Sequence, residues 1–114
     1  MPLETFEVRV IIYPEADDHH RVWIAQCLEY DIVSQGNTIE QVLNRLSRNF
    51  AATIYVSEEQ GKQPFEGIGE APQKFWDMFE KATVIVGHEE RPTSMSRPLP
   101  AIRPVTKLIE AVPA

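Results

Sequence analysis

Between Arg21 and Ile54 the chain reads as strand, short strand, tight turn and capped amphipathic helix, and that order leaves few folds open to it. Arg21–Cys27 is rich in strand-forming residues, and Ile32–Ser34 is a second, shorter stretch of the same kind. Gly36-Asn37 offers backbone freedom for a turn. Thr38 followed by Gln41 has the spacing of a capping box, in which Thr accepts from the amide three residues on and Gln reaches back to the Thr38 amide. A helix is predicted from Ile39 to about Val56, because Ile39, Val42, Leu43, Leu46, Phe50 and Ile54 form one stripe at steps of three and four. Upstream, Phe6–Tyr13 alternates, with Phe6, Val8, Val10 and Ile12 on its inner face. The expected fold is α+β: a three-stranded antiparallel sheet packed by one long helix.

Beyond that helix the signals are shorter. Pro72 suits a first helical turn, and Phe75, Trp76 and Phe79 share a face of a second short helix. Thr83–Val86 is β-branched and bounded by Gly87, and reads as a short extra strand. From His88 on there are prolines at 92, 98, 100, 104 and 113. Proline has no N–H to give a ladder, so this stretch is expected to be an extended Pro-rich C-terminal tail with a last short segment at Val105–Val112. The expected division is an α+β domain over 1–87 and a tail over 88–114. Val22, Ile24 and Leu28 point one way from the Arg21 strand while Trp23, Ala25 and Cys27 point the other, so both of its faces need cover. The long helix covers one. The other must meet the second helix, the tail or another chain, and a homodimer or larger assembly is expected.

The 114 residues suffice for one core. Net charge is −6, which opposes nucleic-acid binding in bulk. Residues 1–81 carry 14 acidic and 7 basic side chains, whereas 82–114 carry 3 and 4, so the tail is a mildly basic arm on an acidic body. Arg91, Arg97 and Arg103 would give at most weak, salt-sensitive nucleic-acid contact. A single cysteine, Cys27, excludes an intrachain disulfide and reads as packing. Met1–Glu7 has neither a basic start nor an apolar run, and no stretch is apolar enough to span a bilayer, so a cytoplasmic protein is expected.

Chemistry-bearing constellations are sparse. Asp17/Asp18, Glu29/Asp31 and Glu58/Glu59 are local pairs, and a two-carboxylate site needs convergence from separate elements. His19 and His20 point apart on an extended loop, with no cysteine or carboxylate completing a zinc spacing. No Gly-x-Ser-x-Gly is present, and Gly67-Ile-Gly69 fits neither a P-loop nor a dinucleotide fingerprint. No catalytic residue, cofactor or metal is expected. The Phe75/Trp76/Phe79 cluster reads as core, with a partner anchor as its functional alternative.

The run Trp23-Ile-Ala-Gln-Cys-Leu-Glu-Tyr-Asp-Ile-Val-Ser-Gln-Gly-Asn-Thr-Ile-Glu-Gln-Val42 resembles the signature of HicB-like antitoxins. Ala25, Gly36, Thr38 and Glu40 match, and the similarity covers roughly residues 6–56. Glu29-Tyr30-Asp31 stands where the family usually has Pro-Gly, and the tail shows no helix-turn-helix or ribbon-helix-helix. The resemblance implies a partial ribonuclease-H-like βββα unit, sometimes with a further strand. It also implies a non-enzymatic protein-binding module that neutralises a small basic RNA-cleaving toxin of HicA type. Partner contacts would then fall on Asp17, Asp18, Glu29, Tyr30, Asp31 and Trp76. The alternative is a self-assembling structural module with no toxin partner.

Overall fold

The computed structural model describes residues 5–16, 21–87 and 101–109. Five strands and two helices follow in the order β1 (Thr5–Ala16), β2 (Arg21–Cys27), β3 (Val33–Gly36), α1 (Ile39–Glu59), α2 (Gln73–Lys81), β4 (Val84–Gly87) and β5 (Ala101–Leu108). The strands form one mixed sheet, ordered β3-β2-β1-β5-β4. β1 pairs antiparallel with β2 and parallel with β5.

The expected three-stranded antiparallel sheet is therefore corrected to a five-stranded mixed one, and part of the stretch read as tail supplies its fourth position. The prolines explain both the misreading and how the sheet tolerates them. The Ile109 amide donates to the Ile12 carbonyl at 2.9 Å, so in β5 the odd-numbered residues bond to β1 and the even-numbered ones face β4. β4 reaches along β5 only as far as Thr106. Pro104 therefore directs its missing N–H to a side beyond the last described β4 partner, so no ladder bond between described residues is lost. Pro14 behaves likewise. Leu28 N–H to Arg9 O, at 2.9 Å, sets the β1–β2 phase and makes Pro14 and Trp23 a pair that exchanges no hydrogen bonds. β1 thus continues through Pro14 to Ala16 instead of stopping at Tyr13.

α1 lies on one face of the sheet. Val42, Leu43, Leu46, Phe50 and Ile54 are buried as the stripe requires, against Val8, Val10, Ile12, Ala25 and Cys27. Burial of each large side chain stabilises by about 1.5–3 kcal/mol. Thr38 caps the helix, its Oγ1 accepting from the Gln41 amide at 3.0 Å. The return bond goes one residue further back than expected, from the Asn37 amide to Gln41 Oε1 at 2.7 Å. Gly36 is favoured by close approach: a Cβ there would lie 3.0 Å from the Val42 backbone nitrogen, tighter than most such contacts.

On the opposite face Ile11, Leu28, Ala71 and Ala82 are buried, with Tyr13, Phe75, Trp76, Met78, Phe79 and Ile109 packed against them. The second apolar face is thus met by α2 and by Ile109 from the same chain. The two-faced character of β2 no longer calls for a second copy. Among the described residues no helix is long and apolar enough to cross a membrane.

Candidate protein-binding surface

Four of the six residues singled out for partner contact are described; Asp17 and Asp18 lie outside the described residues. Glu29 and Trp76 come together through Arg9. The Arg9 amide donates to Glu29 Oε1 at 2.7 Å, and its Nε lies 3.6 Å from Glu29 Oε2. The same guanidinium sits 5.2 Å from the centre of the Trp76 ring. The sheet dictates this meeting. Arg9 shares the α2 side of β1 with Ile11, and Glu29 follows the last buried residue of that side, Leu28. Arg9 was not singled out from the sequence, where an arginine in an alternating strand reads as a solvated residue.

Tyr30 and Asp31 are held otherwise. Tyr30 stacks on Phe65, with centroids 4.2 Å apart, and packs on the α1 side. Asp31 Oδ1 accepts from Gln26 Nε2 at 2.8 Å, and its amide donates to Gly69 O at 2.8 Å. The Ala71 amide donates to Leu28 O, so the loop before α2 straps the β2–β3 link. Glu29, Tyr30 and Asp31 consequently split between the two faces of the sheet, and only Asp31 is well exposed.

The two sheet edges differ. At β3, Cys27 N–H donates to Ile32 O, which turns the backbone groups of Val33 and Gln35 away from β2. Side chains from α1 reach their outward carbonyls: Asn49 Nδ2 to Val33 O at 2.8 Å and Arg45 to Gln35 O at 2.9 Å. This blunts the edge against strand addition. At β4, Val84, Ile85 and Val86 are 50, 61 and 38% exposed, and no charged side chain stands among them.

Between α1 and β3 runs an open groove of about 390 Å³, lined by Ile24, Val33, Ser34, Gln35, Arg45, Arg48 and Asn49. A second hollow of about 350 Å³ around Thr38, Glu40, Gln41 and Asn44 shares Arg45 and Arg48 with it. Sequence reasoning passed over these arginines because the polar side of an amphipathic helix reads as a solvated face. Their spacing of three, which places them together, was the available signal.

Cys27 is fully buried, and burial foremost pushes its thiol up to about 12, so it is no nucleophile at neutral pH. Among the described residues no group of three histidine, cysteine or carboxylate side chains could hold a metal. Compared with known proteins, the chain matches no family model, no curated protein and no solved structure.

Proposed function

We propose that this chain is a small non-enzymatic protein-binding module of HicB-like type that acts in the cytoplasm and neutralises a basic RNA-cleaving toxin. One observation supports it above others. The residues that carry the resemblance, 23–42, fold as β2, β3 and the start of α1, and with β1 they make a βββα unit. The fold specifies architecture more than activity, so the acidic body carries the partner argument: opposite charge speeds encounter and favours the correct mate. The contact surface is the Glu29–Arg9–Trp76 cluster together with exposed Asp31, two residues along from Glu29. Trp76 is the anchor, half-buried and held beneath a cation. Co-expression with the product of the adjacent gene tests this. Wild type should relieve that product's toxicity, and W76A combined with D31K should weaken relief while the variant stays folded. A non-toxic neighbour, together with pull-downs that recover only the chain itself, removes the reading.

The second reading is self-assembly, and the β4 edge favours it. Three exposed β-branched residues on an edge strand form a surface that pairs with a copy of itself about a two-fold axis. Light scattering at micromolar concentration should then give at least twice the 13.0 kDa of one chain. I85K should return it to a monomer, and a wild-type monomer excludes it.

A further inference from the structure

The α1–β3 groove is rich in hydrogen-bond donors. The Val33 and Gln35 carbonyls are taken by Asn49 and Arg45, so what these two residues still offer outward is their N–H groups. They stand two apart on an extended strand, about 7 Å from one another. Arg45 spends one guanidinium nitrogen on Gln35 O and keeps the rest of its fork. Arg48, one turn on, makes no hydrogen bond or ion pair among the described residues. Ile24 and Val33, on the face of the sheet away from α1, add apolar lining around the β3 edge. The only carboxylate lining either hollow is Glu40, in the second one. An added strand would find half its ladder already occupied, so the groove is unsuited to strand addition. A ligand that only accepts hydrogen bonds, and carries negative charge, suits it.

We propose that this groove binds a small organic oxyanion, a phosphate ester or a carboxylate. Its head sits on the Arg45 and Arg48 guanidinium groups and on one of the two outward amides of β3, and its apolar body lies on Ile24 and Val33. The volume matches a small-molecule site, and two arginines on an otherwise acidic body give the anion a local positive field. The proposal is independent of any protein partner, because none of the groove's lining residues belongs to the Glu29–Arg9–Trp76 cluster.

The test is a titration of the full, ¹⁵N-labelled chain at low ionic strength with phenyl phosphate and, separately, with benzoate. A saturable shift of the Val33 or the Gln35 amide is expected with at least one of them, and the tighter head identifies the natural ligand's chemistry. R48Q should weaken that binding about fivefold, the effect of one solvent-exposed charge contact. K62Q, which alters a distant exposed lysine, should bind as wild type does. R48E, which reverses the charge, should abolish binding. Failure of both probes to shift either of these amides overturns the proposal. So does equal weakening in R48Q and K62Q, which would mark general attraction of anions to any surface cation.

Discussion

Phe65 holds a left-handed backbone, at φ +65°, that costs a residue with a side chain about 1–2 kcal/mol. Three rings secure it: Tyr30 stacked at 4.2 Å, and Phe6 and Phe50 edge-on at 5.0 and 5.4 Å. It sits in a loop rich in turn signals, so nothing in the sequence marked it as core. F65A should lower unfolding free energy by about 3–5 kcal/mol in urea titration, a penalty too large for a loop residue without packing. Cys27 gives a pH signature. Its thiol is raised from an ordinary 9.0 to about 12 by burial, so the folded state retains a proton that the unfolded chain releases. Stability is therefore untouched by this group below about pH 9, and falls as pH rises from there toward 12, by at most about 1.4 kcal/mol per unit. Tyr13, raised by burial and then by Glu15, adds a slope of the same sign at higher pH. C27A should flatten the decline between pH 9 and 10 in denaturation midpoints; an unchanged slope would show that Cys27 is not its source.

At the scale of elements, legibility followed periodicity and capping. α1 declared itself through a stripe and a Thr38 cap, and both stand. L46D, which would bury an unpaired charge where Leu46 is 1% exposed, should leave no cooperative thermal transition in circular dichroism. Full stability would mean that α1 presents a different face. β2 and β3 were legible from their β-branched residues, and β4 from Val84–Val86. β5 was not, because a proline scan cannot tell which side of a strand a missing N–H will face. That is decided by the phase of the ladder with β1, a long-range property. Of the proposed contact residues, Glu29 and Trp76 were legible as chemistry but not as neighbours. Arg9, which joins them, becomes visible only when β1 and α2 are placed together. The groove arginines share that difficulty, since the carbonyls that make their surroundings donor-rich belong to a different element.

For the whole molecule, the sheet order matters more than the strand count. Of the described strands, the last along the chain lies next to the first, with eight residue pairs between β1 and β5. β4 has no other described neighbour than β5. A chain cut after Gly87 should thus lose both pairings. Size-exclusion chromatography should find it aggregated, and a well-behaved folded fragment would show that β1 to α2 form a self-sufficient unit. During synthesis the same order imposes a wait. As the ribosome releases the chain from its N-terminal end, β1, β2, β3 and both helices emerge while one side of β1 is still open. β4 then emerges without the strand it must pair with. Only when the last residues of β5 clear the exit tunnel can the sheet close. A nascent chain of this kind is vulnerable from the release of β1 until that of β5, and a pause or premature stop between the two should yield material that sticks to chaperones instead of a shortened working protein.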